Sequence, residues 1–153
     1  MTSSYIPQGT HPTLDAVDGA VAPTSVGNAG PESDLDFQIS YPIIWPQNSI
    51  LFQTDDPVYE GKYSYPGESR RFDSLIFLLI TTQGLGNTLL DALDGSYCSQ
   101  ISPLDPVYPD PANGGYKGAL QCGVYKPPNV LSVSYGGQEG DLPASYQQRQ
   151  CNE

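Results

Sequence analysis

Two prolines, Pro31 and Pro42, bracket the segment that most constrains how this chain can fold. Pro31 suits the first position of a helix, where its missing N–H leaves no bond unmade, and Gly30 before it can act as the N-cap. Pro42 is expected to end the helix at about Tyr41, because the residue before a proline is pushed out of the helical region. A turn then leads to a compact apolar run at residues 49–53, which predicts a buried strand of a parallel sheet. Helix, short turn and strand in this order predict an α/β fold.

The predicted helix carries two pairs of apolar residues, each spaced by about one helical turn. Leu35 and Ile39 form the pair that is expected to face the core, and Phe37 and Tyr41 form the second pair. The other predicted elements are a buried strand at residues 75–80, a helix over residues 87–94 that stops at Gly95, a β-branched strand at residues 129–135 and a last helix that begins near Asp141 or Pro143. Residues 1–30 are predicted to be coil with one short extended piece.

The charge of the chain is strongly negative, since 17 acidic residues against 6 Lys and Arg give a formal net charge of -11. This balance argues against nucleic acid and anionic membranes as partners, because both demand a basic face. Residues 1–14 have neither the basic nor the apolar part of a signal peptide, so either the protein is cytosolic or Met1 is not the start of the mature gene product. Abundant Gly, Pro and Tyr indicate an ordered, loop-rich extracellular protein.

Three cysteines predict one disulfide and one leftover thiol. Residues 98–128 are rich in proline and glycine, and a loop of this length inside a compact domain usually carries function or needs to be pinned. A bridge between Cys98 and Cys122 would pin this loop and stabilise the fold by about 3 kcal/mol. Cys151 then has no assigned partner.

Two weaker candidates for chemistry are the acids of this loop and the single histidine. Asp105 and Asp110 can be interpreted as calcium ligands, but each precedes a proline, and Asp-Pro pairs are common in turns. His11 is predicted to lie on the surface, and without a second histidine or a nucleophile motif the chain cannot supply a Ser-His-Asp triad.

Glu32 and Asp36 lie four residues apart in the predicted helix and would share one of its faces. If they are partly desolvated, the pair cannot ionise freely, one pKa rises, and the pair can hold or pass a proton in acid. Alternatively, they are two solvated acids that favour the positive end of the helix dipole. The spacing alone favours the solvated pair.

Four residues close the last predicted strand: Ser134, Tyr135, Gly136 and Gly137. In an open parallel sheet, ligands gather at the carboxyl ends of strands, and two glycines would let another backbone approach closely. These residues therefore form either a binding edge or an ordinary tight turn from strand to loop.

Taken in order, several of these segments resemble the sedolisin family of serine-carboxyl peptidases, in particular its secreted fungal tripeptidyl-peptidase branch. The resemblance covers most of residues 9–153 except roughly 61–85, and it is carried by GTHP (9–12), ESDLDFQ (32–38), DALDGSYC (91–98), NVLSVSYGG (129–137) and LPASYQQRQC (142–151).

The resemblance implies a partial subtilisin-like parallel sheet with flanking helices and a Ser-Glu-Asp triad. Glu32 would be the general base and Asp36 the carboxylate beside it. A glutamate with a modestly raised pKa remains usable in acid, where a histidine base would be protonated. The four residues Ser134 to Gly137 would line the substrate edge, where a peptide adds as a strand.

The chain also departs from the family pattern. It contains no Gly-Thr-Ser nucleophile motif and no Ser-Gly-Asp segment, and the resemblance places both of them, with the family's calcium site, downstream of Glu153. We therefore expect residues 1–153 to be a truncated catalytic domain, inactive alone, because a base without a nucleophile cannot perform acyl transfer. Residues 61–85 are expected to be an atypical insert, hypothetically a retained intron, and sequencing the transcript tests this.

Three functions are therefore open at this point. The first is a fragment of a secreted acid peptidase that, when complete, releases short peptides from protein N-termini. The second is a non-catalytic extracellular module that binds peptides or glycans. The third is an unstable partial product with no function of its own.

Overall fold

The computed structural model describes residues 5–22, 31–59, 85–133 and 142–153. In chain order its elements are strand β1 (Thr13–Ala16), helix α1 (Pro31–Ile44), strand β2 (Ile50–Gln53), helix α2 (Leu85–Leu93), a 3₁₀ helix (Tyr97–Gln100) and helix α3 (Ala144–Cys151). This is a small α/β arrangement, as the sequence predicts. The predicted strand at residues 75–80 and almost all of the atypical insert lie outside the described residues.

The sheet has two parallel strands, in a register that runs from Thr13 opposite Ile50 to Ala16 opposite Gln53. The ladder continues one step further, because the N–H of Val17 donates to the carbonyl of Gln53 at 2.8 Å. Burial increases toward the carboxyl end of the sheet, where Gln53 and Val17 are buried. The predicted strand at 49–53 and its parallel pairing are thereby confirmed, with β1 as the short extended piece of the N-terminal region.

Helix α1 does not end before Pro42, as the sequence predicts, but continues to Ile44. Pro42 removes only its own donor from the helix, and the next turn still closes, because the N–H of Trp45 donates to the carbonyl of Tyr41 at 3.0 Å. Tyr41 is buried and its ring lies 6.1 Å from that of Phe37, so packing on this face holds the turn in place.

The predicted core face of α1 is also wrong. Leu35 and Ile39 are 54% and 56% exposed, whereas the Phe37 and Tyr41 pair provides the packed face. The two pairs are offset by two residues and therefore lie on roughly opposite sides of the helix. Tyr41 is only 6% exposed, so the side of α1 that carries the aromatic rings is its buried side.

Residues 129–133, predicted to begin a strand, form none, and Val130 is 84% exposed. Their β-branched composition favours a strand only where a neighbouring strand accepts the hydrogen bonds. Within the described ranges, no strand lies beside them. The remaining two residues of the predicted strand lie outside the described part of the chain.

The predicted helices near residues 87–94 and after Pro143 are present as α2 and α3. A disulfide joins Cys98 to Cys122 across 6.0 Å between their Cα atoms, which is the pairing expected from the sequence, and Cys151 is free and exposed. The bridge ties the following loop to the 3₁₀ helix, which contains Cys98, and the loop also reaches α2 beside the bridge. There the N–H of Gly123 donates to the carbonyl of Asp91 at 2.7 Å.

The buried interior of the described residues is more polar than apolar. Its apolar members are Val17, Tyr41, Tyr59, Ala92, Tyr97 and Tyr146, and its polar members include six aspartates. No helix among the described residues is long and apolar enough to cross a membrane. So many carboxyl groups in a small interior call for specific partners.

Candidate active site

Helix α1 contains both predicted catalytic acids. Glu32 and Asp36 lie one turn apart near its N-terminus, where helix geometry puts them on one face. The Asp36 side chain is half-buried, whereas for Glu32 the structure describes the backbone and not the side chain. Their assignment as base and neighbouring carboxylate therefore stays a prediction.

The predicted substrate edge, from Ser134 to Gly137, lies outside the described residues as well. The residues that lead to it, 129–133, are all exposed. The assignment of a binding edge to Ser134, Tyr135, Gly136 and Gly137 stays a prediction.

The described residues reveal a second group of acids, which sequence reasoning missed. Asp18 follows β1, and Asp55 and Asp56 follow β2; we call these three residues the strand-end acids. They are at most 6% exposed. Because the carboxyl ends of parallel strands meet at one edge of a sheet, these three carboxyl groups are brought together.

Asp18 and Asp55 share an uncommon backbone conformation, with φ of 50° and 67°. Aspartate tolerates this left-handed region better than most residues, but it still costs on the order of 1 kcal/mol. Hydrogen bonds hold Asp18 there, since its N–H donates to Oε1 of Gln121 at 2.7 Å and its Oδ1 accepts the N–H of Gln121 at 2.8 Å. Side chains hold Asp55 through its Oδ1, which accepts hydrogen bonds from Thr88 Oγ1 at 2.9 Å and from the Tyr108 hydroxyl at 3.0 Å.

Asp56 is bonded on both carboxylate oxygens. Its Oδ1 accepts the N–H groups of Val58 and Tyr59 at 2.8 and 3.1 Å, and its Oδ2 accepts the N–H of Tyr116 at 2.9 Å. The ring of Tyr108 contacts those of Tyr59 and Tyr116 edge-on, at centroid distances of 5.4 and 5.9 Å. Asp56 thus anchors the loop residues that cover the strand-end acids.

Not every buried oxygen in this region has a partner. Oδ2 of Asp18, Oγ1 of Thr54 and Oδ2 of Asp110 are buried without a hydrogen bond. Burial raises the pKa of Asp18 to about 7, against the lowering effect of the hydrogen bond from Gln121. Nearby carboxylates raise this pKa further; they belong to Asp55, Asp91 and Asp56.

Arg149 of α3 organises a neighbouring polar cluster. It pairs with Asp105 at 3.0 Å, and its Nε donates to the Tyr97 hydroxyl at 3.0 Å. The guanidinium carbon lies 4.7 and 4.9 Å from the ring centroids of Tyr97 and Tyr146. Burial raises the pKa of Asp91 to about 7, the Asp105 charge raises it further, and the Arg149 charge opposes the rise. Arg149 therefore compensates the acids at this end of the interior.

The two acids of the proline-rich loop, Asp105 and Asp110, accept hydrogen bonds from nearby backbone N–H groups and so stabilise turns. Asp105 Oδ2 accepts the N–H of Ser102 at 2.6 Å, and Asp110 Oδ1 accepts the N–H of Ala112 at 2.8 Å. Both are hydrogen bonds between residues close in sequence, as the Asp-Pro interpretation predicts. In the part of the chain that the structure describes, no group of three or more His, Cys, Asp or Glu is arranged to hold a metal ion.

A sequence signal for the strand-end acids does exist. In each strand an aspartate stands two residues beyond the last paired position, at Asp18 after Ala16 and at Asp55 after Gln53. Such placement at the carboxyl ends of parallel strands is where α/β proteins gather polar groups. Their burial could not be read from sequence, since the Gln121 partner of Asp18 is 103 residues away.

Known proteins that resemble the chain are fungal peptidases. It is 70% identical over 151 residues to tripeptidyl-peptidase sed1 of Aspergillus fumigatus, covering 99% of this chain and 21% of that protein. It is 52% identical over 156 residues to aorsin of Aspergillus oryzae (97% and 21%), and 32% identical over 154 residues to tripeptidyl-peptidase SED1 of Arthroderma otae (95% and 19%). No protein-family profile and no solved structure matches the chain.

The matches cover nearly all of this chain, and the chain spans about a fifth of the length of these relatives. Identities of 70% and 52% over nearly the whole length of this chain far exceed what a short shared motif produces. The chain belongs to the sedolisin family of peptidases.

Proposed function

We propose that this chain is part of a serine-carboxyl peptidase that acts in acid and releases short peptides, as a tripeptidyl-peptidase does, from the N-termini of proteins. One observation carries the proposal: Glu32 and Asp36 lie one turn apart on α1, in a chain 70% identical to a protein named tripeptidyl-peptidase. The relatives do not favour the alternative of a non-catalytic binding module.

In the proposed mechanism, Glu32 accepts the proton of a serine nucleophile as that serine attacks the scissile carbonyl. Asp36 shares the site and influences the proton affinity of Glu32 through its charge. The serine and the aspartate that stabilises the oxyanion are supplied by residues beyond this chain. The peptide is held along Ser134 to Gly137 by backbone hydrogen bonds, as an added strand.

The described fold supports a subtilisin-like architecture for the whole domain. Parallel neighbours such as β1 and β2 require a crossover connection, and the segment between them contains α1. This is a strand–helix–strand unit, the repeating unit of larger parallel sheets. Glu32 and Asp36 thus lie in the crossover helix of the unit.

Two further features of the whole protein are part of the proposal. We place it outside the cell, because a disulfide such as Cys98–Cys122 persists in oxidising compartments. A calcium ion remains expected for the complete domain. The described residues provide no group of acids arranged to hold a metal, so the mechanism derives no step from it.

The proposed activity is tested on the longer protein that carries this chain, with two synthetic peptides that differ only in a free or an acetylated N-terminus. At acid pH we expect tripeptides to be released from the free peptide and little from the blocked one, as detected by mass spectrometry. Equal cleavage of both peptides would contradict the N-terminal mode, and cleavage of neither would contradict the peptidase. The 153-residue chain alone is expected to show no turnover.

A further inference from the structure

We propose that Asp18, buried beside the other two strand-end acids Asp55 and Asp56, is a proton-dependent structural switch, which keeps this part of the chain folded in acid and destabilises it toward neutral pH. The switch concerns folding, not peptide cleavage. It uses neither Glu32 nor Asp36, and it stands or falls separately from the proposed function.

Negative charge predominates around Asp18 among the described residues. The acids that face it come from each neighbouring element: Asp55 and Asp56 from the end of β2 and Asp91 from α2. The loop contributes neutral groups, with Gln121 bonded to Asp18 and the ring of Tyr116 packed against Gly19.

The positive side chains of the described residues either bind groups other than the strand-end acids or are exposed to solvent. Arg149 pairs with Asp105, and Nζ of Lys117 donates to the backbone carbonyls of Asp110 and Ala112, at 2.6 and 2.5 Å. Lys126 and His11 are exposed. Among the described residues, no positive side chain is therefore in an ion pair with Asp18 or Asp56.

One oxygen of the Asp18 carboxyl group has no hydrogen-bond partner. Its Oδ2 is fully buried without a hydrogen bond, although Oδ1 is bonded to Gln121. An ionised carboxylate in this position keeps one oxygen desolvated beside other acids, which is costly in a low-dielectric interior. A protonated carboxyl removes the charge and turns the unpaired oxygen into a donor.

The sign of the effect follows from linkage. Burial raises the pKa of Asp18 to about 7 in the folded chain, from 3.8 in the unfolded chain. Below about pH 4 the carboxyl group is neutral in both states, so its ionisation does not lower the free energy of unfolding. Between pH 4 and 7 the unfolded chain releases the proton first and gains stability relative to the folded one. Over this window Asp18 alone raises the unfolding equilibrium constant by up to about a thousandfold.

Urea denaturation of the 153-residue chain, followed by circular dichroism at pH values from 4 to 7.5, tests this switch. We expect the unfolding equilibrium constant to rise steeply with pH. Asp18→Asn keeps the shape and the acceptor for Gln121 but cannot ionise, so its stability should lose the part of the pH dependence that Asp18 contributes. The part that remains comes from Asp91, whose pKa is also raised to about 7. Asp15→Asn, which removes a charge from the half-buried position on the same strand, should leave the steep dependence unchanged.

Stability that is independent of pH between 4 and 7, or an Asp18→Asn variant as steep as the unaltered chain, would overturn the proposal. If Asp18→Asn does not fold, hydrogen exchange in the unaltered chain decides. The amide of Gln121, which bonds to Asp18 Oδ1, should exchange with a protection factor that falls by more than tenfold from pH 4.5 to 7, after correction for the intrinsic rate. A constant protection factor would also overturn the proposal.

Discussion

Asp18 and Asp55 occupy equivalent positions of two neighbouring parallel strands, each two residues beyond the last pair of the register, and both have a left-handed backbone. Two buried aspartates with the same strained geometry at the same sheet edge are a repeated feature of the fold and not an isolated irregularity. Strain of this kind persists only where the surroundings enforce it. Here the enforcement comes from Gln121 on one strand end, and from Thr88 with Tyr108 on the other.

Replacement of Arg149 by methionine should destabilise the chain by about 3 kcal/mol at neutral pH, because Asp105 is then left buried and charged without a positively charged partner. Urea denaturation measures the change. Gln148→Ala, an exposed position on the same helix, is the control and should cost little. Equal stabilities of the Arg149→Met variant and the unaltered chain would show that the pair does not hold α3 in place.

The Cys98–Cys122 bridge closes a loop with a sequence separation of 24 residues. Replacement of both cysteines by serine should lower the free energy of unfolding by about 3 kcal/mol, mainly because the unfolded chain gains freedom. Cys151→Ser should have no comparable effect, since that thiol is free and exposed. A double variant as stable as the Cys151→Ser control would contradict this role.

Gly123 and Gly95 offer a matched pair of substitutions where the loop meets α2. Gly123 has a φ of 59°, and a Cβ there would lie 2.9 Å from the backbone nitrogen of Gly95, so Gly123→Ala should cost at least about 1 kcal/mol. A Cβ at Gly95 meets nothing closer than 3.7 Å, so Gly95→Ala should be tolerated better. Thermal denaturation ranks the two variants, and the opposite order would show that the close approach does not limit the loop.

Asp91 should titrate near neutral pH, because burial and the charge of Asp105 raise its pKa to about 7. Carboxyl carbon shifts in an NMR titration report this directly. An Arg149→Lys variant, which retains the positive charge, should titrate close to the same value. Ionisation of Asp91 near pH 4 would show that solvent reaches this carboxyl.

The sequence predicts the α/β class, the parallel strand at 49–53, the helices near residues 87 and 144 and the disulfide, because each depends on local pattern or on chain spacing. It mispredicts which side of α1 is buried. Both the Leu35 pair and the Phe37 pair fit helical spacing, and only the neighbouring elements decide between them.

The strand-end acids show the same limit for the polar interior. Asp18 is followed by glycine and resembles a surface turn in sequence, yet it is fully buried. Its environment is built by Gln121 and Asp91, which come from the loop and from α2. Composition indicates an acidic chain, but only the packing shows which acids are removed from water.

Kinetic measurements on the longer protein that carries this chain test whether Glu32 is the general base of a peptidase. We compare kcat at acid pH for the unaltered enzyme, for Glu32→Gln and for Asp34→Asn, a charge-removing control on the same helix. We predict that Glu32→Gln lowers kcat by about 10²–10⁴-fold while Asp34→Asn stays within a few-fold of the unaltered enzyme. A Glu32→Gln variant as active as the Asp34→Asn control would contradict the assignment.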